Sequence, residues 1–270
     1  MKPPSPNFAM TLEFFSAVDT GRARNNNEDS VAVDQGSALA VLADGMGGYN
    51  AGEVASSMAT SFIKSELGRW LQEASGNATD VDVRRAMDIC VDNANRAIFN
   101  AANSNPQYAG MGTTLVVAAF RGDRLLMGHV GDSRGYRLRA GRLVQITRDH
   151  SLLQEQIDAG LITAEQAAFS SNKNLVTRAV GVEDTVLLEM HLHDVLPGDM
   201  YLMCSDGLSD MLDDETIAQV LTSNDSLEEA GAALIDAAND AGGKDNIAVI
   251  LVRQRSGNTA PARSWWPFKR

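Results

Sequence analysis

The chain has 270 residues, 44% of them hydrophobic and 21% charged, a balance that can bury a sizeable core in one large domain or two small ones. Its formal net charge of -12 argues against nucleic acid and anionic membranes, which need basic patches. Two cysteines, Cys90 and Cys204, fall in apolar settings and read as core residues, with neither a zinc spacing nor a disulfide expected.

Residues 1–10, with three prolines and no apolar run of signal-peptide length, are expected to be a flexible leader. No stretch is long enough to span a bilayer, so the cytoplasm is the expected address. Ser37–Ala43 reads as a buried strand ending in Asp44-Gly45. Glu53–Glu73 carries a helical stripe of Val54, Met58, Phe62, Leu67 and Leu71, and Asp80–Ala102 one of Val83, Met87, Val91, Ala94 and Ile98. Short strands follow at Thr114–Phe120, Arg124–Val130, Tyr136–Arg139 and Leu143–Thr147, which predicts an antiparallel meander.

The segment Ser151–Phe169 breaks that pattern: Ser151 with Gln154, and Thr163 with Gln166, have capping-box spacing, predicting two short helices separated by Gly160. Strands return at Val186–Leu192, Met200–Ser205 and Asn246–Arg253, with helices near Asp214–Leu221 and Leu227–Ala241. Strands grouped with strands predict an α+β layered domain over residues 11–255 rather than a βαβ repeat. Residues 256–270 are expected to be a flexible tail, whose Trp265, Trp266 and Phe268 either pack loosely on the domain or meet a partner.

Four aspartates share one local design, an apolar strand joined to a tight glycine turn that carries the acid: ALAVLADGMGG (Asp44), LLMGHVGDSRG (Asp132), YLMCSDGL (Asp206) and AGGKDNIAVILV (Asp245). The strand is a rigid mount, and glycine lets backbone carbonyls approach a ligand. Each alone is ordinary turn chemistry. Four converging would repel one another and demand cations, and oxygen-only donors suit Mg²⁺ or Mn²⁺. Spacing alone leaves that convergence open. Near the N-terminus, GRARNNNEDS offers Arg24, a planar donor fork suited to phosphate, and the carboxylates Glu28 and Asp29; a solvated polar turn is the alternative. His191 and His193 share a strand face with Glu189 and read as solvated, while His129 reads as a sheet residue near the Asp132 turn rather than a ligand.

The ordered set GxxRxNNEDS, ADGMGG, GTT, GDSR, SDGL and GGxDN, running from about Thr20 to Val252, resembles the bacterial branch of the metal-dependent serine/threonine protein phosphatases (type 2C, PPM). The resemblance implies a four-layer αββα sandwich, two antiparallel sheets flanked by helices. It implies two tightly held Mn²⁺ or Mg²⁺ ions on Asp44, the Gly45 carbonyl, Asp206 and Asp245, with Glu28 reaching a metal-bound water. Asp132 matches the acid of a weaker third metal, Arg24 the residue that grips the substrate phosphate, and residues 150–172 the mobile flap. The implied reaction is hydrolysis of phosphoserine and phosphothreonine in proteins, reversing a serine/threonine kinase. A monomer is expected, and the acidic charge speaks against nucleic-acid partners. Some members carry a histidine, a candidate general acid, where this chain has Met46; a metal-bound water, or less favourably His150, would then supply the proton. The other readings are a catalytically silent regulatory module of the same fold and a hydrolase of another phosphoester.

Overall fold

A computed structural model describes residues 11–48, 51–74, 78–163, 166–167 and 175–255. Its first strand, β1 (Thr11–Asp19), pairs antiparallel along its whole length with the last, β11 (Ile247–Arg255), so the two ends of the described chain close one sheet. That sheet continues through β10 (Met200–Cys204), β7 (Arg134–Arg139) and β8 (Arg142–Gln145), in the order β1-β11-β10-β7-β8. The second sheet has the order β2-β3-β5-β6-β9, built from Asp29–Asp34, Leu39–Met46, Leu115–Arg121, Arg124–Val130 and Glu189–Asp194. A two-residue strand, β4 (Gly112–Thr113), extends it beside the end of β3.

Strand alternation assigns the three apolar layers. Ala40, Leu42, Val116, Ala118, Tyr201, Met203 and Ile250 fill the space between the sheets. Their neighbours Leu39, Val41, Leu115 and Val117 point outward, against α1 (Ala51–Glu73) and α2 (Asp80–Ser104). On the opposite side Leu202, Cys204, Val249 and Leu251 meet α4 (Asp206–Ser209), α5 (Asp214–Ser223) and α6 (Leu227–Asp240). The expected α+β sandwich of two antiparallel sheets between helices is what forms. Both cysteines are free and buried.

Local rules account for most boundaries. Thr79 and Asp82 form a capping box that starts α2, and Ser226 with Glu229 does the same for α6. All five predicted inward residues of α2 are buried. The stripe of α1 is rotated from its expected line: Ala55, Ala59 and Ile63 lie at its centre, with Val54, Met58 and Phe62 only partly covered. Small alanines let the helix approach the sheet closely, which a reading by side-chain hydrophobicity undervalues. Ser151 caps the short α3 (Leu152–Asp158), Gly160 follows at φ +68°, and Thr163 and Gln166 exchange both bonds of a capping box. The predicted second helix of this segment otherwise lies outside the described residues, as do the leader and tail.

The expected meander does not form. β5 and β6 are a hairpin in one sheet and β7 and β8 a hairpin in the other. The chain crosses between the sheets at Gly131–Ser133, with Gly131 at φ +100°, a left-handed conformation that glycine adopts without strain. Asp132 therefore sits on a crossover at one end of the sandwich rather than in a hairpin turn.

Candidate metal centre

β2 and β3 pair with Asp29 directly opposite Asp44, so two carboxylates are set side by side by strand register alone. The GTT triplet braces the second of them. Thr113 Oγ1 donates to the Asp44 carbonyl at 2.8 Å, and the Thr114 N–H donates to the same carbonyl at 2.8 Å. Thr114 Oγ1 accepts the Asp44 N–H at 3.0 Å and also meets Ser133 Oγ at 2.7 Å, which ties the Asp44 mount to the Asp132 crossover.

From the other sheet, Ser205 Oγ donates to Asp29 Oδ2 at 2.7 Å, placing Asp206 at the start of α4 beside the pair. Gly207 allows this approach. A side chain there would run into the Asn246 carbonyl, so α4 and the turn before β11 close on each other only because residue 207 is glycine. Gly45 is as tightly enclosed, between the carbonyls of Gly52 and Glu28, and its N–H donates to the latter at 3.1 Å. Asn246 Nδ2 donates to the carbonyls of Thr20 and Asn26, and its Oδ1 accepts the Glu28 N–H at 2.8 Å. The N-terminal loop is thus moored to the Asp245 turn. Arg24, on the exposed rim of that loop, donates to Asp245 Oδ2 at 2.7 Å. Glu28 accepts from Asn26 Nδ2 and lies against the first turn of α1, and burial raises its pKa.

The convergence that the spacing left open is therefore present. Burial, and then the charges of Asp29, Asp206, Asp132 and Asp245, push the Asp44 carboxyl well above the usual carboxylate range. Asp206 is raised by burial and then by Asp132, Asp210 and Asp245. Asp132 is pushed up to about 6 by burial and by Asp149. Burial also takes Asp29 to about 7, against the hydrogen bond from Ser205, and its Oδ1 is buried without a partner. Like charges gathered out of water resist ionising together, and a dication is what reverses that preference. Every donor at the cleft is oxygen, so the residues fit hard ions such as Mg²⁺ and Mn²⁺.

Met46 ends β3 beside these acids, and its thioether has no proton to give. His150 is not placed to act as an acid either. It is 5% exposed, its Nδ1 accepts the Gly131 N–H at 3.1 Å, and its Nε2 is 3.2 Å from Glu189 Oε2. Two residues of the site escape a reading by motif. Asp29 and Asn246 stand inside EDS and GGxDN, but their roles depend on strand register and on contacts across 176 and 218 residues.

An αββα sandwich with five aspartates gathered where its two sheets meet defines the class, a fold built around a carboxylate metal cleft. The family model for protein phosphatase 2C matches residues 21–251. The chain is 40% identical over 243 residues to the serine/threonine protein phosphatase PstP of Mycobacterium tuberculosis, an alignment covering 90% of this chain and 45% of that protein. It thus spans about half the length of that relative. Against the serine/threonine phosphatase stp of Listeria innocua it is 36% identical over 240 residues, covering 88% and 94% respectively. The crystal structure of the PstP catalytic domain in complex with two manganese ions superposes with a TM-score of 0.79 at 37% identity, covering 92% of this chain and all of that one. The chain belongs to the protein phosphatase 2C family.

Proposed function

We propose that this chain hydrolyses phosphoserine and phosphothreonine esters in proteins, and so reverses a serine/threonine kinase, as one domain over residues 11–255. The observation that carries this reading is the crowding of Asp44, Asp132 and Asp206, side chains delivered by three separate turns: the charges of Asp132 and Asp206 both act on Asp44, and that of Asp132 acts on Asp206, with Asp29 and Asp245 beside them. The names of the mycobacterial and Listeria relatives point to the same substrate class.

In this reading Asp44, Asp206, Asp245 and the Gly45 carbonyl hold two Mn²⁺ or Mg²⁺ ions, and Asp132 contributes to a weaker third. Ions so held supply an activated water and stabilise charge on phosphate oxygens. Asp29 holds Asp44 in place and is itself held by Ser205, and such outer partners set ligand orientation. Glu28 accepts a hydrogen bond from a water at the cleft. Arg24 turns its fork from Asp245 to two phosphoryl oxygens, a charge-assisted contact that binds and orients the substrate phosphate. With Met46 unable to donate and His150 committed elsewhere, the departing alkoxide takes its proton from solvent. No helix among the described residues is long and apolar enough to cross a membrane, and the working form is taken to be a cytoplasmic monomer.

The test compares a phosphothreonine peptide, a nucleoside monophosphate and an aryl phosphate as substrates, each with Mn²⁺ and with chelator. Mn²⁺-dependent release of phosphate from the peptide, at higher kcat/KM than from the nucleotide, is the expected result. Preference for the nucleotide would favour the other-phosphoester reading, and absence of turnover on all three would favour the silent module.

A further inference from the structure

All four histidines of the chain gather at one edge of the sandwich, with His150 hydrogen-bonded to the Gly131 turn that carries Asp132. In the β6–β9 pairing His129 lies opposite Glu189 and Met127 opposite His191. Glu189, His191 and His193 therefore share the face that Leu125, Met127 and His129 present toward the other sheet, while Leu188, Met190 and Leu192 pack under α2 on the reverse. The expected solvated face is only half solvated: His191 is exposed, but His193 is partly buried and its Nε2 has no partner.

His150 enters from the segment after β8, and its ring stacks on His129 with centroids 4.7 Å apart and planes 20° apart. One ligand atom from each of His129, His150 and Glu189 lies within 4.8 Å of the other two. The His129 ring is fully buried. Its Nε2 lies 2.7 Å from the Arg148 carbonyl and 3.3 Å from the Arg148 N–H; the nearer carbonyl can only accept, which assigns the proton to Nε2 and leaves Nδ1 a lone pair without a partner. A buried imidazole nitrogen with nothing to accept from is a feature that calls for an occupant.

We propose that His129, His150 and Glu189 form a second metal site, selective for a borderline transition ion such as Zn²⁺ and separate from the oxygen-only cleft. Two nitrogens and a carboxylate are a donor set for Zn²⁺ rather than for Mg²⁺. Nitrogens bound at about 2.0–2.1 Å in a tetrahedral site sit roughly 3.4 Å apart, so ligand atoms now within 4.8 Å of one another close by at most about 1.4 Å. His191 Nε2 holds Glu189 Oε1 at 2.7 Å, the carboxylate–histidine pairing that orients a ligand from behind. The half-exposed Glu189 and His191 give an entry path from the open edge at β9. Both buried rings are biased to the neutral form by desolvation, and Glu189, despite its own burial, is drawn down to about 2 by its bonds to His191 and His150.

Two consequences identify the site. Arg178 Nη1 is 3.5 Å from His150 Nε2, so its exposed guanidinium must swing away when a dication enters. His150 now keeps its proton on Nε2, because Nδ1 accepts the Gly131 N–H. An ion on Nε2 sends that proton to Nδ1, which then faces the Gly131 N–H donor to donor. That hydrogen bond breaks without net proton release, and occupancy at the edge is felt at the turn that carries Asp132.

Zinc calorimetry on the full chain, with the cleft disabled by Asp44→Asn and Asp206→Asn and with excess Mg²⁺ to occupy residual carboxylates, tests the proposal independently of hydrolysis. One equivalent of Zn²⁺ is expected. In that background His129→Gln and Glu189→Gln should each weaken binding more than tenfold, and Arg178→Ala should tighten it several-fold. The Gly131 amide resonance should shift on zinc addition. Glu189→Gln, half-exposed and isosteric, serves as the deciding variant should His129→Gln unfold. Absence of zinc binding, or binding that Glu189→Gln leaves unchanged, would overturn the assignment.

Discussion

Asn246 Oδ1 accepts the Glu28 N–H at 2.8 Å, joining the loop before the second strand to the turn before the last. The same side chain donates to the carbonyls of Thr20 and Asn26, at 3.0 and 2.9 Å. Three main-chain groups thus depend on one buried amide. Asn246→Ala should cost about 2–4 kcal/mol in denaturant unfolding, because each lost bond is worth about 1 kcal/mol and the stranded groups add a desolvation penalty. It should also weaken Mn²⁺ binding, since Glu28 and Asp245 lose their common anchor. Unfolding curves and a Mn²⁺ titration on the same variant check both.

The crowded carboxylates predict an unusual pH dependence for the metal-free chain. Asp29 at about 7 and Asp132 at about 6 hold protons in the folded state that the unfolded chain, with carboxyls near about 4, has already released. Their contribution to stability is present below about pH 4 and is lost as pH rises through the folded values. Bound Mn²⁺ needs the ionised forms, so its stabilising effect grows over the same interval. Thermal melts from about pH 5 to about pH 8, with chelator and with Mn²⁺, should show the two curves diverging as pH rises.

Arg24 is exposed and pairs with Asp245 at the rim, so its removal should leave stability nearly unchanged. Losing a charge-assisted contact worth about 1.5–3 kcal/mol should raise KM for a phosphopeptide about ten- to a hundredfold, with a smaller change in kcat. Steady-state kinetics of Arg24→Ala distinguish this from a role in holding the cleft together, which would lower kcat at every substrate concentration.

Asp132 stands apart from the other acids because the sheet crossover carries it. Asp132→Ala should lower kcat about tenfold or more while two Mn²⁺ equivalents still bind. Calorimetry alongside kinetics tests this, and a silent substitution would remove the third-ion role.

Much of this architecture was legible in residue order. Asp44, Asp206 and Asp245 announce themselves because each sits between an apolar strand and a glycine that the packing requires, as Gly45 and Gly207 show. Asp29 does not, because its importance arises from facing Asp44 in register and from Ser205, which is remote in sequence. β1 has no clean alternation, and its pairing with the buried β11 sets its conformation. The strands from Leu115 to Gln145 are regularly spaced, yet nothing in that spacing says that the chain changes sheets at Gly131. The histidines were visible singly, but their stacking depends on β6 pairing with β9 and on His150 arriving from outside both.

The central claim is that the converging aspartates hold the ions on which phosphoester hydrolysis depends. Its most direct test is the initial rate of phosphothreonine-peptide hydrolysis by Asp206→Asn across a full Mn²⁺ titration. The account predicts a rate at background at every Mn²⁺ concentration, against a parent enzyme that is silent in chelator and saturates with the ion. Parent-like turnover by Asp206→Asn would contradict it.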